Sequence, residues 1–358
     1  MLNLDTRIAS TPLKAVDFFC GAGGMSYGLS EAGIRVLGGI DNSTDCQQTY
    51  EANVPGAKYV RRDITRLSAP ELGRRLGLKV NDPDLVFCGC SPCQFWSKIR
   101  TDRTKSLKTA FLLKQFQKFI RYFKPGFVVV ENVPGLFRRK DNAILADFQS
   151  FLRKQGYDFQ DGVINASHFG VPQNRMRYLL IASRVKSVSP LPIDPSATAI
   201  NVGDCIGIDK GFPAIGPGHR DDSPFRHASA ALSEKNLRRI AVTPTGGNRS
   251  SWSGDPDLQI DAYRGKDDIF KDVYGRMAWD RPAPTITTRF ISLSNGRFGH
   301  PEENRAISLR EGACLQTFPR TFEFHGASLN AIARQIGNAV PPALAKRIGE
   351  HLHTVRHG

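Results

Sequence analysis

Three cysteines crowd the run Cys88-Gly89-Cys90-Ser91-Pro92-Cys93-Gln94. No second Cys/His cluster stands elsewhere to complete a tetrahedral metal site, so no metal is expected. A thiol just past an apolar run suits nucleophilic catalysis better, since sulfur attacks well even when only partly ionised. A second constellation begins where the apolar run ending at Cys20 enters Gly21-Ala22-Gly23-Gly24. The backbone amides of such a turn can approach a ligand at the start of a helix, in the crevice where doubly wound folds hold nucleotides. Asp41, 18 residues beyond Gly23, suits a carboxylate that accepts hydrogen bonds from ribose hydroxyls, and Asp63 ends the next short segment, where it could meet an adenine amino group. Ser26 stands in place of the third glycine of the dinucleotide fingerprint, so a nicotinamide enzyme and other nucleotide-type cofactors are both open at this point.

These residues need a scaffold, and the first half of the chain alternates short apolar runs with amphipathic stretches, the pattern of a parallel sheet covered by helices. Strands are expected at Ala15 to Cys20, Ile34 to Ile40, Asp84 to Cys88, Phe127 to Val130 and Arg177 to Ala182. Helices are expected at Met25 to Ala32, Thr44 to about Ala52, and Leu107 to Phe123, the last with a stripe of Phe111, Leu112, Phe116, Phe119, Ile120 and Phe123. Ser187 to Ala197 is rich in Pro and Ser and reads as a linker. From there to about Asp280 no period persists, and an irregular, loop-rich lobe is expected. Helical character returns at Leu309 to Leu315 and from Pro342 to about His351.

At 358 residues the chain is long enough for two lobes. No apolar run approaches the ~20 residues needed to cross a bilayer, and Met1 to Lys14 has no signal-peptide pattern. A cytoplasmic protein with no membrane partner is expected, its seven cysteines free rather than paired. The net charge of +15 favours a polyanionic partner, and nucleic acid is the usual one.

The motifs, taken in order, resemble those of the DNA (cytosine-5) methyltransferases of the bacterial restriction-modification type. Asp17-Phe18-Phe19-Cys20-Gly21-Ala22-Gly23-Gly24 resembles the family's first motif, and Pro92-Cys93-Gln94 its nucleophile motif. Glu131-Asn132-Val133 resembles the acidic motif, and Gln173-Asn174-Arg175-Met176-Arg177 matches Gln-x-Arg-x-Arg. Arg305 to Pro319 resembles the ninth motif, and Gln335 to Pro342 the tenth. The matches span nearly the whole chain outside 186–276.

The resemblance implies a doubly wound, Rossmann-like α/β catalytic domain dependent on S-adenosylmethionine, formed by 1–185 with 331–358. A smaller, irregular target-recognition domain is set at 186–330. It implies a cofactor site built from Phe19, Gly21, Gly23, Gly24, Asp41, Asn42, Asp63, Ile64, Pro92 and Asn338. Carbon 5 of cytosine is a poor nucleophile because the ring is electron-poor, and adding a thiolate at carbon 6 makes it enamine-like. The resemblance gives that thiolate to Cys93. Glu131 would protonate or hydrogen-bond ring nitrogen 3, Arg177 would contact the cytosine oxygen, and Arg175 would orient the cysteine or base. Arg175 and Arg177, two apart on an extended segment, are expected to share one face. The base would have to swing out of the duplex to reach such a pocket.

Double-stranded DNA is the expected partner and a monomer the expected state; the family type allows a cognate restriction endonuclease acting separately. Ser97 to Lys108, which includes Ser97, Lys98, Arg100 and Arg103, resembles the family's mobile loop that closes over DNA. Arg226, Arg239, Gly246, Gly247 and Arg249 are the expected DNA contacts of the smaller lobe. The nearest competitor is the tRNA-modifying branch of the family, which usually carries a Cys-Phe-Thr tripeptide not found here. A regulator that has lost catalysis would have no use for Cys93, Glu131 and Arg177. A dinucleotide oxidoreductase would leave the later motifs unexplained.

Overall fold

The computed structural model describes residues 12–91, 103–135, 143–194, 196, 198–264 and 269–358. Its centre is a seven-stranded sheet of β1 (Lys14–Phe18), β2 (Arg35–Asp41), β3 (Lys58–Arg61), β4 (Leu85–Gly89), β5 (Phe127–Asn132), β6 (Asp158–Asn165) and β8 (Met176–Ser183). The spatial order is β3-β2-β1-β4-β5-β8-β6. Strands β1 to β5 are parallel, while β8 runs antiparallel to both β5 and β6. Order reverses between β1 and β4, so a crevice opens outside their carboxyl ends, as in other doubly wound sheets.

Burial on both faces explains why β4 and β5 read as continuous apolar runs rather than alternating ones. One face packs on α3 (Ala69–Leu76), α4 (Arg103–Phe123) and α5 (Ala143–Lys154), with Phe18, Phe87, Phe116 and Phe148 at its centre. The other packs on α1 (Gly24–Glu31) and the C-terminal helix α9 (Pro342–His357) through Met25, Leu29, Leu344 and Ile348. Helix α2 (Thr44–Asn53) adds Tyr50 to this second layer.

Several boundaries differ from the sequence expectation for local reasons. Strand β1 stops at Phe18 rather than Cys20 because Phe19 adopts a left-handed φ of 64°. In α4, Phe111 is half exposed and Leu113 is buried in its place. The strands β3 and β6 and the helices α3 and α5 were not anticipated. Helix α3 nevertheless carries clear end signals: the Ser68 hydroxyl accepts from the Glu71 amide, and Gly77 closes it in the left-handed region.

Residues 198–264 and 269–308 are mostly turns and short 3₁₀ segments, as expected, but they include the helix α6 (Glu234–Ala241), which was not. A short parallel pair, β7 (Gln173–Asn174) with β9 (Ala283–Pro284), joins this region to the strand leading into β8. A separate core of Val202, Phe212, Phe290, Phe298 and Phe318 packs with α7 (Leu309–Leu315) and α8 (Leu329–Asn338). With little regular structure, buried arginines satisfy its main chain. Arg276, buried, donates to the carbonyls of Ile240, Thr243, His300 and Glu303.

Candidate active site

The carboxyl edge of the sheet gathers the chemistry. Strand β1 delivers Phe19 and the glycine turn, β2 ends in Asp41, β4 runs to Cys90 and Ser91, and β5 ends in Glu131 and Asn132. Asp41 ties two of these together: its Oδ2 accepts from the Gly21 amide at 2.9 Å and its Oδ1 from the Ser43 amide at 2.9 Å. Gly21 has a φ of 50°, and a Cβ built there would meet nothing within 4 Å, so its side faces open space. Gly24 is different. A Cβ there would lie 2.3 Å from the Val340 carbonyl oxygen, so the start of α1 and the segment after α8 can touch only through glycine. Asn42 and Asp63 are exposed and Ile64 is buried; the Thr65 amide on Asp63 holds that carboxyl below its usual range. Asn338, the last residue of α8, is exposed.

At the foot of the turn, Asp17 is fully buried. Its Oδ2 accepts from the Ser26 hydroxyl at 2.8 Å, while Oδ1 has no hydrogen-bond partner among the described residues. Burial pushes its carboxyl up to about 7, with the Ser26 hydrogen bond opposing and the nearby Asp41 charge assisting. An open glycine edge, an orphaned carboxylate oxygen and a second carboxylate with spare lone pairs fit a nucleoside bearing a cationic amino-acid arm.

Beside this crevice, Arg177 at the start of β8 places Nε 2.9 Å from Glu131 Oε1, and both side chains are largely buried. The contact is one of charge, because Oε1 has no aligned hydrogen-bond donor among the described residues. That leaves a buried acceptor for something else to occupy. Asn132 reaches across from β5 to β4, its Nδ2 donating to the Ser91 hydroxyl at 3.2 Å. Cys88 and Cys90 are poor nucleophiles, since burial pushes both thiols well above their usual range. Pro92, Cys93, Ser97, Lys98 and Arg100 lie outside the described residues, as does the side chain of Arg103.

Arg175 does not share the setting of Arg177. It is buried, and donates to the carbonyls of Ile286, Gly337 and Ala339. Two expected DNA contacts are likewise internal. Arg239 donates to the Leu258 and Gln259 carbonyls and lies over the rings of Trp252 and Tyr274. Arg249, also buried, donates to the Ile269 carbonyl and lies over Tyr263. A guanidinium's five donors suit such loop carbonyls, which a charge count along the sequence cannot distinguish from phosphate contacts. Arg226 is half-buried and paired with Asp222 at 2.9 Å. Gly246 and Gly247 line an open surface cleft of about 590 Å³ with Trp279 and Arg281, two residues the sequence did not single out.

Among the described residues, His300, Glu303 and Glu311 bring potential metal-ligating atoms within 4.8 Å of one another. Arg305 already covers them, with Nη1 and Nη2 at 2.7 and 2.8 Å from the two Glu311 oxygens and Nε at 3.0 Å from Glu303. The cluster is an internal ion network. Among the described residues, no helix is long and apolar enough to cross a membrane.

A doubly wound sheet with a glycine turn on β1, a carboxylate on β2 and an Arg–Glu pair at the carboxyl edge places the chain among the nucleotide-type α/β folds. The chain matches the model of the C-5 cytosine-specific DNA methylases over residues 13–354, and it belongs to that family. It is 35% identical over 348 residues to the Type II methylase M.HgiDII of Herpetosiphon aurantiacus, covering 96% of each chain. It is 33% identical to the Type II methyltransferase M1.HphI of Haemophilus parahaemolyticus over 94% of this chain and 86% of that one. Its fold superposes with a TM-score of 0.74 on a candidate DNA modification methyltransferase encoded within an E. coli prophage, at 21% identity over 97% of this chain and 100% of that one. The Dnmt2 methyltransferase of S. pombe gives 0.61 at 17% identity, over 96% of this chain and 98% of that one. The protein is a DNA (cytosine-5) methyltransferase.

Proposed function

We propose that this enzyme methylates carbon 5 of an extruded cytosine within a specific duplex sequence, through a transient bond from the Cys93 sulfur to carbon 6. The observation that supports it most directly is the Arg177–Glu131 pair, held at the carboxyl edge beside the Ser91–Asn132 contact two residues before Cys93. The bound cofactor would supply an electrophilic methyl group on a sulfonium. Phe19, Gly21, Gly23, Gly24, Asp41, Asn42, Asp63, Ile64, Pro92 and Asn338 would hold it, with Asp41 accepting from the ribose. Glu131 would sit against ring nitrogen 3, where a shared or transferred proton drains charge from the ring as Cys93 adds. Arg177 would donate to the cytosine oxygen while keeping Glu131 in place. Loss of the carbon 5 proton, with water as the default base, then lets the sulfur leave with its electron pair.

Residues 186–330 would form the recognition region, and those DNA contacts that are not internal would come from its exposed face and from the segment Ser97, Lys98, Arg100 and Arg103. We further assign the enzyme to a restriction-modification system, as a cytoplasmic monomer whose cognate endonuclease acts separately. M.HgiDII and M1.HphI, to which it is similar, carry Type II names, which supports that setting. Bisulfite sequencing of a plasmid from a methylation-free host expressing the gene tests the proposal. One recurrent methylated cytosine context is expected. An unmodified plasmid together with methylated tRNA would overturn the DNA assignment of the substrate.

A further inference from the structure

Gln173 and Gln316 are both fully buried, 143 residues apart, and face each other side chain to side chain. Gln173 Nε2 donates to Gln316 Oε1 at 2.8 Å and to the Leu315 carbonyl at 2.8 Å, and its Oε1 accepts from the Ile286 amide at 3.1 Å. Gln316 Nε2 donates in turn to the Ile336 carbonyl at 2.7 Å and, more weakly, to that of Ala339 at 3.4 Å. Arg175 works alongside, with Nη1 on the Ile286 carbonyl and Nη2 on those of Gly337 and Ala339. The carbonyls of Ile336, Gly337 and Ala339 lie at the C-terminus of α8, where a helix leaves acceptors without partners and favours a cation. These three side chains close that end.

The closed end is also a point of close contact. A Cβ at Gly337 would lie 2.3 Å from the Thr287 carbonyl carbon, so α8 is pressed directly onto the segment that follows β9. Three residues on, the Val340 carbonyl abuts Gly24 in the glycine turn. A line of contacts therefore runs from β7, which leads into the strand carrying Arg177, through the two amides, to the turn containing Asn338 and on to the start of α1. We propose that Gln173 and Gln316 are positioning residues. Their amide pair holds the α8 turn in register with Arg177 and Glu131, and so sets the methyl donor against the base. The proposal rests on the site assignment above, and needs both ends of the line to be functional.

The test exploits an asymmetry of buried hydrogen bonds. Replacing one partner leaves the other amide unsatisfied, whereas replacing both with apolar side chains of similar shape removes that mismatch and strands the Ile286 amide and the Leu315 carbonyl. Gln173→Met, Gln316→Met and the double variant would be compared by thermal melting and by single-turnover methyl transfer at saturating cofactor and DNA. Each single variant should melt earlier. The double variant should recover part of the melting temperature lost in the singles yet transfer methyl at least about tenfold more slowly, since small misplacement of reacting groups is costly. Its DNA affinity should stay within about twofold of the parent. Turnover that recovers together with melting temperature would overturn the proposal. Should the double variant still melt early, Gln173→Met is compared below its melting range with an equally destabilised Leu72→Ala, and equal rates in the two would overturn it. Glu131→Gln run in parallel keeps the two ideas apart: full activity there counts against the site assignment, whatever the amide pair does.

Discussion

Arg177 and Glu131 meet at 2.9 Å from adjacent antiparallel strands, β8 and β5, in a pocket edge that excludes most solvent from both. Neither residue is held by a loop, so the pair is as rigid as the sheet itself. Glu131→Gln removes the proton-holding group while keeping shape. Its transfer rate should fall by roughly 10²- to 10⁴-fold with little change in melting temperature, measured with labelled S-adenosylmethionine on a substrate oligonucleotide.

Cys93→Ser should abolish methyl transfer and leave duplex binding largely intact, measured by filter binding beside a transfer assay. Parent enzyme should form a gel-stable conjugate with a 5-fluorocytosine duplex in the presence of cofactor, because fluorine cannot leave as a proton does. Absence of that conjugate on a duplex that is otherwise a substrate would remove Cys93 from the mechanism.

Asp17 predicts an unusual pH dependence. Its folded carboxyl titrates near 7 against an unfolded value near 3.8, so the folded state holds the proton more tightly. Its stabilising contribution is therefore full below the unfolded value and is lost as pH rises through about 7. Asp17→Asn should flatten the stability curve between about pH 4 and 8, and its gain over the parent should be larger at pH 8 than at pH 5. Denaturant titrations at several pH values would read this, and parallel curves for the two proteins would refute it.

The fully buried Arg305–Glu311 pair predicts a stability effect without a catalytic one. Arg305→Met strands a buried carboxylate and should cost about 3–5 kcal/mol. Glu311 stands at the third position of a capping box with Ser308, so its movement should also loosen the start of α7. Urea unfolding gives the loss directly.

DNA binding should weaken steeply as salt rises. Arg249→Gln should lower melting temperature, yet leave the slope of log affinity against log salt unchanged, because the Arg249 side chain is spent on the Ile269 carbonyl and the Tyr263 ring. A slope reduced by about one would mean that Arg249 meets a phosphate.

The parallel half of the fold was legible because β4 and the first four residues of β5 form apolar runs and α4 carries a periodic stripe, patterns with a direct physical cause. Edge strands β3 and β6 were not. β3 is KYVR, and β6 mixes charged, glycine and apolar residues because much of it is only half buried. The site's inner edge was legible in residue type at Asp41, Glu131 and Arg177, each at a strand end or beginning. The jobs of Arg175 and Gln173 were not, because main-chain carbonyls at Ile286 and Gly337 leave no trace in side-chain spacing. Arg239 and Arg249 were misplaced for the same reason, since a guanidinium that stitches loops together is spelled like one that grips a phosphate.

Part of the positive charge in the middle region, at Arg239, Arg249, Arg276 and Arg305, is thus internal scaffolding. Swapping arginines there to redirect the enzyme to a new sequence would first dismantle the support behind the contact surface. A retargeted variant is better sought at Asp280 and Arg281, which are exposed in the cleft beside Gly246 and Gly247.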